Sequence, residues 1–373
     1  MEKEKNKSLN FVMKIFRRYY KNLSPFSVEK IEQREFGFMF FNKEGMVRHT
    51  AFKSVNELSL YLRKHVPAHV YYSTAFYERP DAPTMEEKGW KGAELVFDID
   101  VDHIPTECKK KHDKWFCANC GNSGNGAPPP ACPVCGSEAL RTVSWVCDEC
   151  LEVAKEETNK LLDFLLIDFG FSRSELLVCF SGHRGFHIHV LSEKVYSLDQ
   201  DARREVVNYV RGLGLSFPSL VKAKLWENYG WINRLMFTAY EKLSVRTPES
   251  VYKKLARKKK LVDILVNECI ERYGCQIDER VTVDIKRLIR LPLSLHGKTG
   301  MIVSIIDDLD LFDPLEKASP LSSNEYIKVK LKDAPEKILN YTLDKRNGVV
   351  KLPINVGLYL ILRGAAEVVG DEY

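Results

Sequence analysis

The chain has 373 residues, 45% of them hydrophobic, enough to bury a substantial core as one elaborated domain with an insertion. A formal net charge of only +5 excludes a polycation that coats nucleic acid indiscriminately, so any nucleic-acid surface has to be local. No apolar run of about 18 residues is present, which argues against a membrane span, and the basic N-terminus does not read as a secretion signal. Phe11, Ile15 and Tyr19 recur at four-residue spacing and predict a helix over 10–22. EFGFMFF (35–41) and VYYSTAFY (70–77) are aromatic and β-branched enough for strands, and AELVFDIDVDHIP follows as a third. Residues 106–150 are rich in Cys, Gly, Pro and charge, the composition of a small metal-stapled insertion. A helix from about Leu151 to Asp168 closes near Gly170, and LLVCFS (176–181) and FHIHVL (186–191) read as two strands joined by a glycine-containing turn. Residues 198–273 read as a helical subdomain, Val281 to His296 and Met301 to Ile306 return to the core, and Val356 to Val369 reads as a closing helix.

The Leu95–Asp102 segment is the most informative. Alternate strand residues share a face, so Asp98 and Asp100 project together from the end of an apolar strand. Paired carboxylates in such a place repel and lose solvation unless a cation lies between them. Hard oxygen donors suit Mg²⁺ or Mn²⁺, the ions of phosphoryl and nucleotidyl transfer.

Of the ten cysteines, most fall into CxxC pairs, a metal-binding habit of reduced compartments, and the cytoplasm is the expected location. Cys117, Cys120, Cys132 and Cys135 have the spacing of a zinc ribbon. Cys147 and Cys150 form a third pair whose candidate partners are Cys108 and His112, with His103 a competing ligand. Two closed structural Zn²⁺ sites result.

Ser181-Gly182-His183-Arg184-Gly185-Phe186-His187 joins two strands. Its glycines admit an anion close to the backbone, and Ser181, Arg184 and His187 can donate to phosphate oxygens. In RVTVDIKRLIRLPLSLHGKTG, Lys286, Arg287, Arg290, His296 and Lys298 crowd around apolar residues and invite a polyphosphate. Asp278 and Asp284 are both candidates for a third metal carboxylate. Six cations among residues 253–260 read either as a solvated helix face or as a track for a template backbone.

Taken in order, these segments resemble the small catalytic subunit of archaeal and eukaryotic DNA primases over about residues 34–300, the archaeal branch being nearer. The shared order is a DxD strand, a zinc-binding excursion, an SGxRGxH turn and an Asp leading to an R/K-x-P-x-S-x-H segment. The resemblance implies an α/β (α+β) mixed-sheet catalytic core over 1–105, 151–197 and 274–373, a zinc-binding insertion over 106–150 and a helical subdomain over 198–273. It implies that Asp98, Asp100 and Asp278 bind two divalent ions, Asp278 being chosen because it lies eighteen positions before His296. Ser181, Gly182, His183, Arg184, Gly185, His187, Arg287, Arg290, His296 and Lys298 would contact the nucleoside triphosphate, and Glu35 in its REF segment would add a nucleotide contact. Cys108, His112, Cys147 and Cys150 would form the family's zinc knuckle, with the Cys117–Cys135 ribbon inserted into it as a departure from many members. The implied activity is synthesis of short RNA or DNA primers on single-stranded DNA by two-metal nucleotidyl transfer, in a heterodimer with a large primase subunit. Competing readings are a stand-alone repair primase-polymerase and a non-catalytic zinc-ribbon protein that binds nucleic acid.

Overall fold

A computed structural model describes residues 2–23, 27–215, 230–255, 258–321, 324–332 and 334–370. The order of elements is α1 (Glu2–Lys21), β1 (Phe36–Phe40), β2 (Lys43–Thr50), α2 (Val55–His65), β3 (His69–Ser73), β4 (Ala75–Tyr77), β5 (Trp90–Ala93) and β6 (Leu95–Asp100). The insertion carries α3 (Glu107–His112), β7 (Lys114–Cys117), β8 (Ser123–Asn125) and β9 (Leu140–Val143). Next come α4 (Asp148–Asp163), β10 (Leu176–Phe180), β11 (Gly185–Val190), α5 (Gln200–Arg211), α6 (Gly230–Leu243), α7 (Pro248–Leu255), α8 (Lys259–Tyr273) and α9 (Glu279–Val283). The chain finishes with β12 (Leu288–Arg290), β13 (Ile305–Ile306), β14 (Tyr326–Leu331), β15 (Lys337–Ile338), β16 (Tyr341–Thr342), β17 (Gly348–Pro353), α10 (Ile354–Leu362) and β18 (Ala366–Val368).

Two four-stranded sheets, ordered β12-β3-β1-β2 and β13-β10-β11-β6, form the core. The α+β class holds, but every strand pair in both sheets is antiparallel rather than mixed. The 70–77 stretch, expected as one strand, splits at Thr74. Its amide donates to Arg287 O at 2.9 Å and its carbonyl accepts from Glu94 N at 3.0 Å, so β3 joins the first sheet while β4 pairs with β5.

Helix α1 begins well before residue 10, and Phe11, Val12, Ile15, Phe16 and Tyr20 supply its buried stripe. Helix α4 starts at Cys147, whose sulfur accepts from Cys150 N at 3.4 Å, and runs into a π turn over Phe164–Asp168. Helices α5–α8 lie within residues 198–273; residues 216–229 lie outside the described set, as do Ala256 and Arg257 of the basic run, whose remaining residues end α7, precede α8 and begin it.

The closing helix is shorter than expected. Gly364 adopts φ +74°, a left-handed conformation that ends α10, and Ala366–Val368 then pair with β14 in a third sheet, ordered β17-β14-β18. That sheet, with the β15–β16 hairpin, was not foreseen from the sequence. Residues 113–143 form a small sheet ordered β8-β7-β9. Among the described residues no helix is long and apolar enough to cross a membrane.

Candidate active site

The register of β6 against β11 sets the floor of the site. Asp98 lies opposite His187 and Asp100 opposite Gly185, which puts both carboxylates on one face beside the glycine turn. His187 Nε2 is 3.5 Å from Asp98 Oδ1. Gly185 has no room for a side chain: a Cβ there would meet Ile99 O at 2.0 Å. Gly182 adopts φ +78° and sits against the Cβ of His296, drawing the turn onto the late basic segment.

Asp278 is tied to β6 through the backbone, though it lines neither of the two cavities above the floor. Its amide donates to Asp98 O at 2.8 Å, and its carboxylate caps α9 by accepting from Arg280 N at 2.9 Å. Asp98 is pushed up to about 7, mainly by burial and further by the charges of Asp100 and Asp278, against Arg287 and Arg290. Asp284 lies elsewhere; it accepts from Lys286 N at 2.9 Å, and its charge acts on Arg203 and Tyr77. Carboxylates under mutual repulsion suit a hard divalent cation, although the ligand atoms of Asp98, Asp100 and Asp278 do not all lie within 4.8 Å of one another.

Above the floor stand two cavities. The smaller, about 250 Å³, is lined by Asp98, Asp100, Ser181, His183, His187, Arg287, Arg290 and His296, with Tyr71. The larger, about 880 Å³, is lined by Asp100, His183, Arg184, Arg290, His296 and Lys298, with Asp102, Lys109 and Arg363 among its other walls. The two share Asp100, His183, Arg290 and His296 and so border one another. His183 and His296 stack with ring centroids 5.3 Å apart. Burial holds both well below the usual histidine range, His183 at about 3, with the Arg290 and Lys298 charges adding. Burial also lowers Arg290, while Tyr71, Asp98 and Asp100 oppose the shift. This wall is cationic through Arg184, Arg290 and Lys298 and faces the acidic floor, an arrangement that can hold a polyphosphate with its bound cations.

Glu35 does not belong to this group. It is fully buried, meets Arg48 Nε at 3.0 Å and Lys88 Nζ at 3.3 Å, accepts from His49 N, and lines neither cavity. The nucleotide contact expected of it is replaced by an internal ion cluster, because the start of β1 turns this side chain toward β2. His189, which shares a strand face with His187, is a core residue bonded to Glu94 at 2.9 Å.

Three residues escaped sequence reasoning. His69 Nδ1 accepts from Arg290 Nη1 at 2.7 Å and from Gly297 N at 3.2 Å, so it aims one phosphate-wall arginine and anchors the loop carrying Lys298. Asp113 pairs with Arg184, and Arg363, at the end of α10, lines the larger cavity. None lies in a recognisable motif, and the residues they meet in the site are distant in sequence.

Among the described residues, two sets of Cys and His donors have their ligand atoms within 4.8 Å of one another: Cys108, His112, Cys147 and Cys150, and Cys117, Cys120, Cys132 and Cys135. His103 is in neither set. Sulfur–sulfur separations of 3.3 Å (Cys108–Cys150), 3.5 Å (Cys117–Cys135) and 3.6 Å (Cys120–Cys132) approach the roughly 3.8 Å tetrahedral edge that Zn–S bonds of about 2.3 Å produce. Both donor sets fit zinc.

Residues 143–308, which span the glycine turn and the late basic segment, match the DNA primase small subunit family. The chain is 35% identical to the DNA primase small subunit of Thermoplasma volcanium, across 95% of this chain and 96% of that protein. It belongs to the DNA primase small subunit family. Its likeness to the small subunit of Pyrobaculum arsenaticum is 38% over 93% of the chain and 96% of the relative, and to that of Methanosarcina barkeri 33% over 97% of each. The matches extend well beyond the motifs into the zinc insertion and the C-terminal sheet. The function is accordingly that of a primase catalytic subunit in DNA replication.

Proposed function

We propose that this chain joins nucleoside triphosphates into short primers on a single-stranded DNA template, with chemistry at the floor formed by Asp98, Asp100 and Asp278. The observation that carries this reading is the strand register that sets Asp98 and Asp100 side by side under a cationic wall bordering an 880 Å³ cavity. Asp98, Asp100 and Asp278 would hold Mg²⁺ or Mn²⁺, which would supply Lewis acidity and charge neutralisation for nucleotidyl transfer. Arg184, Arg290 and Lys298 bind the triphosphate and orient it for in-line attack. His183, His187 and His296 are buried and held neutral, so they act as hydrogen-bond partners rather than as a source of charge. Ser181, Gly182 and Gly185 shape the turn against the phosphates, and Arg287 balances the carboxylates. The two Cys/His sets hold structural zinc. The name small subunit, carried by the relatives, supports assembly with a large subunit. A replication enzyme of this kind works in the cytoplasm.

The test is incorporation of labelled ribonucleotides on single-stranded DNA with Mg²⁺ or Mn²⁺. Asp98→Ala and Asp100→Ala are expected to lose extension by about a thousandfold or more while retaining zinc. Primer synthesis at the wild-type rate by a folded double variant overturns the assignment.

A further inference from the structure

We propose that Asp113 is a positioning residue through which the zinc knuckle sets the orientation of Arg184 in the nucleotide pocket. The proposal rests on the reading of Arg184 as a phosphate ligand and goes beyond it by giving the knuckle a part in binding.

Asp113 is 4% exposed and joins three groups brought in by different segments. Its Oδ1 accepts from His112 Nδ1 at 2.8 Å and from Trp145 N at 2.9 Å. Arg184 Nη1 donates to Oδ1 at 3.1 Å and to Oδ2 at 2.9 Å. On its other side the His112 ring turns Nε2 toward the ligand set, 3.3 Å from Cys147 Sγ and 3.6 Å from Cys150 Sγ. A ligating histidine whose second nitrogen donates to a carboxylate is fixed in tautomer and ring angle. Here the same carboxylate continues to a guanidinium on the cavity wall.

Arg184 is divided by these contacts. Nη1 is committed to Asp113 and to Trp145 O at 3.2 Å. Nη2 donates to Asp102, whose side chain is 40% exposed and lines the same cavity, while Nε is buried with no partner among the described residues. Nη2 and Nε are neighbouring donors on one edge of the guanidinium, the fork that takes two oxygens of a phosphate. Asp113 therefore holds one end of the group in place. Asp102 occupies part of the other edge and gives way when a phosphate arrives.

Charge alone predicts the reverse of positioning. Neutralising Asp113 removes a negative charge beside an anion site and should tighten triphosphate binding, whereas loss of alignment weakens it. The full chain carrying Asp113→Asn or His112→Cys is assayed for zinc content and for affinity toward a fluorescent nucleoside triphosphate with Mg²⁺. His112→Cys keeps a four-donor zinc site while deleting the bond to Asp113; its added thiolate charge also weakens anion binding, so a loss that persists at raised ionic strength is the result that decides the matter should Asp113→Asn fail to fold. Each variant is expected to keep its zinc and bind the triphosphate about ten- to a hundredfold more weakly. Asp102→Asn should bind it more tightly than wild type, a shift that a merely structural role for these residues would not produce. Wild-type affinity in zinc-loaded His112→Cys overturns the proposal. Absence of triphosphate binding by the wild-type chain is a different failure, since it removes the pocket reading itself.

Discussion

The two cysteine clusters share a chemistry and differ in what surrounds them. In the knuckle, Cys108 and Cys150 are buried in the main core, Cys147 caps α4, and His112 leads through Asp113 to the larger cavity. In the ribbon, Cys120 and Cys135 are exposed and Val134 between the second pair is 71% exposed; Ala127 and Pro128 of its loop and Thr142 of β9 line the larger cavity, but the side chains that donate to its sulfurs, Asn119 and Asn122, belong to the ribbon itself. A metal site influences a distant reaction through the hydrogen bonds behind its ligands, and among the described residues the knuckle has such a path into the pocket, from His112 through Asp113 to Arg184.

The largest expected effect comes from breaking this contrast directly. Cys150→Ser should remove the knuckle zinc, lower the melting temperature by several degrees or more and abolish triphosphate binding, since it leaves the start of α4 and the Asp113 contacts unsupported. Cys135→Ser should remove the ribbon zinc and leave core melting and triphosphate affinity within about twofold of wild type. Metal analysis, thermal melts and binding titrations on both variants test the difference. Equal loss of triphosphate binding in the two variants would erase the distinction between them.

A smaller effect sharpens the same contrast between connected and remote groups, using two buried carboxylate clusters. Asp113 faces the cavity through Arg184, whereas Glu35 is enclosed with Lys88 and Arg48 and lines neither cavity. Glu35→Gln strands the fully buried Lys88 charge and should cost about 3 kcal/mol of stability. Its KM for nucleotide should stay at the wild-type value. A raised KM in a variant of normal stability would return Glu35 to the site.

How much of this was legible depends on whether a residue's role is local. Period-two alternation placed Asp98 and Asp100 on one face, and β6 does so. CxxC spacing identified the ribbon set and two knuckle ligands, with Cys108 and His112 named as their candidate partners; the family resemblance chose Asp278, whose amide bonds to the Asp98 backbone while its side chain lines neither cavity. The internal ion cluster of Glu35 was not foreseen, because a short motif does not reveal which strand will pair beside it. His69, Asp113 and Arg363 were missed because a second layer of contacts has no period or spacing of its own. The C-terminal sheet was missed since β14 alternates buried and exposed residues over only six positions, and the shortened α10 depended on the left-handed turn at Gly364.

The smallest predicted effect concerns pH and belongs to the connected side. His69 and His183 are both held at about 3, chiefly by burial, with the Arg290 and Lys298 charges adding. A histidine lowered in the folded state supplies stability that is complete above its unfolded value, near 6.5, and lost as pH falls toward its folded value. Acidification from about pH 6.5 should therefore lower the melting temperature progressively, because the unfolded chain takes up protons that the folded wall refuses. His69→Gln removes one of four histidines held low, with His183, His187 and His296, and should flatten the histidine part of that slope by about a quarter over pH 4–6, a part that Asp98, pushed up to about 7, opposes. The same variant should bind triphosphate only a few-fold more weakly at neutral pH, since Gln presents an acceptor to Arg290 in place of Nδ1. An unchanged slope in thermal melts of His69→Gln would mean that the imidazole takes up protons in the folded chain, and its role as a permanent acceptor behind Arg290 would fall with it.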